Sequence, residues 1–305
     1  MPHQPPGASA GGSPRSRAYG GAQGNEPGRA LKRAGVRPSR ARGQNFLVQQ
    51  SIAEQIVAAA DIHGEDTVVE IGPGLGILTE RIIAAGLRQL ILVELDSRLA
   101  AMLNARFGGY QQIKTLNRDF LKVTPAELNG EGLKVIGNLP FGTATAILRH
   151  LCDYRQSIAR MVLMFQREVG ERIRALPGAR NYGALSVFSS LYWRIDNHFR
   201  VAAGSFHPRP KVDAEVLVME PRVVRDLNRV DEASLRATIN AVFSAPRKTI
   251  RNSLAGGLRV DTNTIEAALR RINIDPSLRP AMLDCSQLVA LAGILRPANS
   301  SAYRA

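Results

Sequence analysis

Four short stretches of this 305-residue chain combine residue types that could do chemistry. The stretch that would decide the reaction is Gly137-Asn138-Leu139-Pro140-Phe141. The side-chain oxygen of Asn138 and the carbonyl of Leu139 can converge as two acceptors on one amino group, while Pro140 stiffens the turn and Phe141 offers a face for stacking. An exocyclic amine on a base is a poor nucleophile because its lone pair is spread into the ring. Two acceptors draw its hydrogens out of that plane and restore a directed lone pair for in-line attack on a sulfonium methyl. Positioning and electrostatics carry such a step without a metal or a strong base.

The other three stretches would hold the methyl donor. Val68-Val69-Glu70-Ile71-Gly72-Pro73-Gly74-Leu75-Gly76 reads as a strand, a G-x-G-x-G turn and the start of a helix. A nicotinamide-type fingerprint wants G-x-G-x-x-G to seat a pyrophosphate, so this tighter turn, in which Pro73 removes a backbone donor, suits a ligand without one. Glu94 ends the next strand 18 residues past Gly76, where an acceptor-only carboxylate can chelate both hydroxyls of a ribose. Asp119 follows a third strand 25 residues further on and could accept from an adenine amine, with Phe120 nearby. Glycines and carboxylates after three successive strands fit adenosine with an amino-acid tail, which is S-adenosylmethionine. Asp96 is expected to face solvent or cap the following helix.

These residues need a doubly wound sheet to position them. Helix patterns at Val48–Ala60, Ile77–Ala85, Ser97–Ala105 and Thr143–Cys152 alternate with β-branched runs at Thr67–Ile71, Gln89–Val93, Gln112–Leu116, Lys134–Ile136 and Met161–Phe165. The alternation predicts a Rossmann-like, mostly parallel α/β sheet. Ile195–Val201 and Ala214–Met219 are separated only by a loop, so they are expected to be antiparallel and to close it. Beyond Pro221 only helices are predicted, at Asp231–Val242, Asn263–Ile272 and Ser286–Leu295, with Asp231 and Ser286 as N-caps. The expected organisation is a basic arm over residues 1–43, a cofactor-binding domain over 44–220, a small all-α domain over 221–296 and a tail over 297–305.

Forty Lys and Arg against twenty-six Asp and Glu leave a net charge of +14, which suits a polyanionic partner, nucleic acid first. Residues 1–43 carry +7 with little aliphatic content apart from Leu31 and Val36, so the arm is expected to be disordered when alone, its Arg37, Arg40 and Arg42 reaching phosphates. An Arg-rich start also suits an organellar transit peptide, but its glycines and prolines leave no amphipathic helix. Cys152 and Cys285 form no metal, redox or disulfide pattern and are expected to be buried thiols in a reducing, cytoplasmic setting. No uninterrupted apolar run of about 18 residues could cross a bilayer. His207 reads as a surface imidazole and Trp193 as core.

Taken in order, Arg42-Gly43-Gln44-Asn45-Phe46-Leu47, Glu70 to Gly76, Glu94, Asp119-Phe120, Gly137 to Phe141, Phe165-Gln166-Arg167-Glu168-Val169, Phe206 to Asp213 and Arg247 to Leu254 resemble the KsgA-type ribosomal RNA adenine dimethyltransferases, from about residue 40 to 296. The resemblance implies a class I methyltransferase, cytoplasmic and monomeric, that dimethylates two adjacent adenosines near the 3′ end of small-subunit ribosomal RNA on an assembling subunit. It also implies that Asn45, Leu47, Gly72, Gly74, Glu94, Asp119 and Asn138 bind S-adenosylmethionine. Asn138, Leu139, Pro140 and Phe141 would act on the target adenine. Phe206 would be a second wall of that pocket, with Arg209, Lys211, Arg247, Lys248 and Arg251 on the RNA. Phe141 replaces a common tyrosine of the family, Gly142-Thr143-Ala144 replaces Asn-Ile-Ser/Thr, and Ala214 replaces a serine, changes that bear on pocket shape and on the second methylation. A macrolide-resistance-type methylase of large-subunit RNA shares the cofactor and Asn-x-Pro motifs, and a catalytically silent RNA-binding assembly factor would share the fold.

Overall fold

A computed structural model describes residues 43–128, 130–222 and 230–295, together with Gly28, Leu31 and Gly35. Arg37, Arg40, Arg42 and the tail 297–305 lie outside the described residues. The predicted alternation is present. In chain order the first part comprises β1 (Phe46–Leu47), α1 (Gln50–Ala60), β2 (Thr67–Ile71), α2 (Ile77–Ala85), β3 (Gln89–Glu94), α3 (Ser97–Phe107), β4 (Ile113–Asn117), α4 (Pro125–Leu128), β5 (Leu133–Asn138) and α5 (Ala144–Asp153). Then come β6 (Ile158–Gln166), α6 (Arg167–Ile173), α7 (Ala184–Tyr192), β7 (Trp193–Val201), β8 (Phe206–His207) and β9 (Ala214–Pro221). Helices α8 (Glu232–Phe243), α9 (Ile250–Leu258), α10 (Thr262–Arg271) and α11 (Cys285–Ile294) complete the described chain.

Seven strands form one sheet in the order β4-β3-β2-β5-β6-β9-β7. The first five are parallel, and β9 runs antiparallel to both β6 and β7, as expected for strands joined by a loop alone. The chain leaves β2 toward β3 and β4, then returns to β5 on the other side of β2. Ligands bind at such a switch point, outside the carboxyl ends of the strands. Register makes that edge level: Ile71 pairs with Val93 on one side and with Gly137 on the other. Gly72, Glu94 and Asn138 therefore emerge side by side.

Both faces of the sheet are buried, which is why its central strands read as continuous apolar runs. Val68, Leu90, Leu92 and Ile136 pack with Ala53, Ile56, Ile82 and Leu103 of α1 to α3. Their neighbours Val69, Ile91, Val93 and Val135 face the opposite way, onto Leu148 and Leu151 of α5 and Val187 and Leu191 of α7. Leu235, Ile239, Leu254, Leu269 and Leu288 of α8 to α11 belong to that same apolar cluster. Around its rim, Glu232 ties the helices to Tyr192 (3.3 Å) and Arg155 (3.2 Å), and Arg236 reaches Asp153 at 2.7 Å.

Some local expectations hold, those for Asp231 and Trp193 among them, and others change. Asp231 caps α8 through the Ser234 N–H, but α11 is capped by Asp284 rather than Ser286, in a reciprocal box with Gln287. Trp193 opens β7 deep in the core, its indole N–H directed at the Cys152 sulfur 3.4 Å away. The basic arm is not solvated throughout: Leu31 is buried and the Gly35 carbonyl accepts from Arg98. Strands β1 and β8 form a separate antiparallel pair, each too short to leave an alternating pattern.

Helix α6 crosses β9 so closely that a side chain at Gly170 would collide with the Glu215 carboxylate, which Arg174 holds at 2.7 Å. Helix propensity alone favours Gly170→Ala by about 1 kcal/mol, whereas overpacking of this order costs about 1–3 kcal/mol. Gly170→Ala is therefore expected to lower Tm in thermal unfolding; a raised Tm would show that β9 yields without cost.

Candidate active site

A cavity of about 290 Å³ opens at the carboxyl edge of the sheet. Gly72 and Gly74 border it beneath, Glu94, Leu95, Asp96 and Leu99 form one side, and Asn138 to Phe141 with Thr143 form the other. Gly43 to Phe46 complete the lining. A smaller adjoining recess shares Phe46, Gly72, Gly74 and Asn138 and adds Leu47, Leu75 and Leu78. The sheet thus brings together the glycine turn, Glu94, Asn45, Leu47 and the whole Asn138–Phe141 motif.

The turn after β2 needs glycine for two reasons at Gly74. Its φ is +57°, and a Cβ there would stand 2.8 Å from the Phe46 ring. The Gly74 N–H donates to Glu94 Oε2 at 3.1 Å, and the Asp96 N–H donates to Oε1 at 2.9 Å. Each oxygen of this acceptor-only group keeps capacity for a further donor, so two adjacent hydroxyls can be chelated. Burial pushes the Glu94 pKa up, the two amide bonds oppose that, and the charge of Asp96 adds to it. Asp96 caps α3 by accepting from Arg98 N–H at 3.0 Å, and Asn117 steadies the strand end by donating to the carbonyls of Glu94 and Leu95 at 2.9 and 3.2 Å.

Asn138 ends β5 with its carboxamide already oriented. Its Nδ2 donates to the Asn45 carbonyl at 2.9 Å, which fixes which end of the amide is oxygen. Oδ1 has no hydrogen-bond partner among the described residues. Leu139 is held by its N–H to Met164 O at 3.3 Å, and Phe141 lies half-exposed on the cavity wall. Gly43, with φ +60°, lets the segment before β1 run against this motif: a Cβ there would sit 3.2 Å from the Phe141 nitrogen. No role for the cavity residues Phe46 and Leu99 was legible in the sequence, because only the two-residue pairing of β1 with β8 and the cap of α3 bring them here.

Three expectations are corrected. Phe206 is only 4% exposed, packed beside Leu47 in the α1-side core, and does not line the cavity; pairing of β8 with β1 turns its ring inward. Arg251, expected on the RNA beside Arg247 and Lys248, lies apart from them in α9, which begins at Ile250 capped by Thr249, and the Arg251 guanidinium pairs with Glu266 at 3.0 Å. Asp119 leaves β4 at the correct edge, but the cavity does not reach it; its Oδ1 accepts from Leu121 N–H at 3.0 Å in a cap. Arg209, Lys211, Arg247 and Lys248 are exposed and enter no ion pair among the described residues.

Sheet order, glycine turn and strand-end carboxylate together define a methyltransferase of the Rossmann-like class. Solved structures agree. A 23S rRNA methyltransferase, ErmE, superposes with a TM-score of 0.58 at 25% identity, covering 82% of this chain and 99% of its own. A dimethyladenosine transferase from Plasmodium falciparum gives 0.70 at 24% identity, over 81% and 95%. The sequence model of the ribosomal RNA adenine dimethylase family matches residues 38–280. The ribosomal RNA small subunit methyltransferase A of Syntrophotalea carbinolica is 40% identical over 267 residues, 86% of this chain and 98% of the relative. That of Geobacter sulfurreducens is 38% identical over 272, or 88% and 98%. The chain belongs to the ribosomal RNA adenine dimethylase family.

Beneath the glycine turn, Glu70 is fully buried: Oε2 accepts from the Thr79 hydroxyl at 2.7 Å and Oε1 has no partner among the described residues. Burial pushes its pKa from 4.5 up to about 8. A carboxyl raised in the folded state is stabilising when protonated, and that contribution is lost as pH climbs from about 4.5 through about 8. Glu70→Gln should match the wild-type Tm near the acid end of that window and exceed it increasingly toward pH 8. A gap independent of pH would show that Glu70 is not held neutral.

Proposed function

We propose that this enzyme takes methyl groups from S-adenosylmethionine and places two on the 6-amino group of each of two adjacent adenosines near the 3′ end of small-subunit ribosomal RNA. It would act in the cytoplasm, as a monomer, on an assembling subunit. The observation that carries the reading is the Asn138 carboxamide, whose nitrogen is occupied by Asn45 and whose oxygen is left for a donor. The small-subunit names of the relatives, matched over 98% of their length, support the substrate.

The residues present fit the donor. Glu94 offers a buried acceptor pair for the ribose, and the turn at Gly72 and Gly74 lets a ligand lie against bare backbone. Asn45 and Leu47 lie beside the turn for the methionine part. Bound there, S-adenosylmethionine supplies an electrophilic methyl on a sulfonium sulfur. The chain's own work is to sharpen the nucleophile. Asn138 Oδ1 and the Leu139 carbonyl would accept hydrogen bonds from the amine, which redirects the nitrogen lone pair out of the ring, and the proton that the methylated nitrogen sheds passes to solvent. Phe141 stacks on the extruded base, since a methyltransferase cannot reach this nitrogen inside a duplex. Pro140 keeps the two acceptors in fixed relation. The exposed cations Arg209, Lys211, Arg247 and Lys248 offer phosphate contacts.

Mass spectrometry of the small-subunit RNA 3′ region, from cells with and without the protein, tests substrate, position and methyl number together. Two dimethyladenosines should appear only with it; methylation confined to large-subunit RNA would overturn the proposal. Asn138→Ala should lower kcat about 10²–10³-fold while donor binding stays measurable by calorimetry. Turnover close to wild type would remove the amine-polarising role.

A further inference from the structure

The basic arm carries one feature that a solvated tail would lack. Leu31 is 2% exposed, in a small apolar cluster with Phe46 and Leu99, against which Leu75 and Met102 also pack. This cluster is separate from both cores of the sheet. Two of its members, Phe46 and Leu99, also line the cavity, and Phe46 lines the adjoining recess together with Leu75. The Phe46 ring is in turn the group against which Gly74 is packed.

Three described points trace the arm across this side of the site. At Gly28 a Cβ would lie 3.9 Å from His207 Nε2, on β8. Leu31 sits between β1 and α3. The Gly35 carbonyl then accepts from the Arg98 guanidinium at 2.6 Å, in the first turn of α3. Gly43 lies beside Phe141. The three described residues of the arm thus lie at the β1–β8 pair, between β1 and α3, and at the start of α3.

We propose that Leu31 is a positioning residue for the methyl donor: packed with Phe46 and Leu99, it holds these two cavity-lining side chains in place, so that donor retention depends on it. The inference rests on the S-adenosylmethionine reading above. A leucine that merely stabilised the fold would act on all states alike. One that seats two cavity-lining side chains acts on the donor complex. An apolar side chain is buried this completely only where it finds a formed notch, and α3 and β1 supply one for Leu31.

The full chain and variants would be titrated with S-adenosylhomocysteine, a non-reactive probe, and assayed with S-adenosylmethionine and small subunits. Leu31→Ala should raise the probe Kd about tenfold, equivalent to about 1.4 kcal/mol. It should raise KM for the donor to match, with kcat at saturating donor unchanged. Leu31→Met, which conserves volume, should restore affinity. Arg98→Ala, which releases Gly35 from an exposed side chain, should move Kd in the same direction, and the double variant should fall short of the product of the two. It carries the test if Leu31→Ala fails to fold. Unchanged Kd in both variants, or a lowered kcat and Tm at unchanged Kd, would overturn the proposal. If the wild type itself bound no probe, the donor reading would fail instead.

Discussion

The hydrogen bond from Asn138 to the Asn45 carbonyl is the interaction on which the rest of the site depends. A carboxamide is ambidextrous. If its NH₂ faced the cavity, it would repel the amine that the proposed reaction requires it to activate. Occupying the nitrogen with a backbone acceptor selects the orientation in which oxygen is presented, before any substrate arrives. Catalysis by positioning requires that kind of preorganisation, because no bond is made to the enzyme and no group of the chain need change its protonation state.

That single bond explains why so much of the chain converges here. The Asn45 carbonyl is useful only if β1 is fixed. Fixing it takes the pairing of Leu47 with Phe206, the Val48 N–H on the Ser205 carbonyl at 2.9 Å, and the Ser205 hydroxyl on Gln49 at 2.6 Å. On the other side, Asn138 is placed by the register of β5 with β2, which also levels the glycine turn and Glu94. Sequence-distant segments thus meet at one amide, on a cavity whose lining also carries the buried Glu94.

The central sheet and the residues ending its strands were legible in the sequence because their signals are local. β-Branched runs closed by glycine, carboxylate or asparagine name both the element and its tip, and strand Thr67–Ile71 and helix Ile77–Ala85 match to the residue. What escaped is set by tertiary pairing. A two-residue strand has no periodicity, so β1 and β8 were invisible, and with them the inward turn of Phe206 and the placement of Phe46. Arg251 looked like its basic neighbours until Glu266, fifteen residues away on α10, claimed it. Leu31 was noticed only as an isolated aliphatic residue in a Gly- and Pro-rich arm; the notch it fills is built from α3 and β1.

The β1–β8 pair also has a consequence for how the enzyme is made. Its two halves are separated by roughly half the chain, and all seven strands except β9 are synthesised before the second half appears. During vectorial synthesis the nascent polypeptide can build most of its parallel sheet while the Asn45 carbonyl still lacks its anchor. Long-range pairings of this kind form late. Orientation of the Asn138 amide is thereby deferred until residues 206 and 207 have been added, so an incomplete translation product would hold a sheet edge but no preset acceptor.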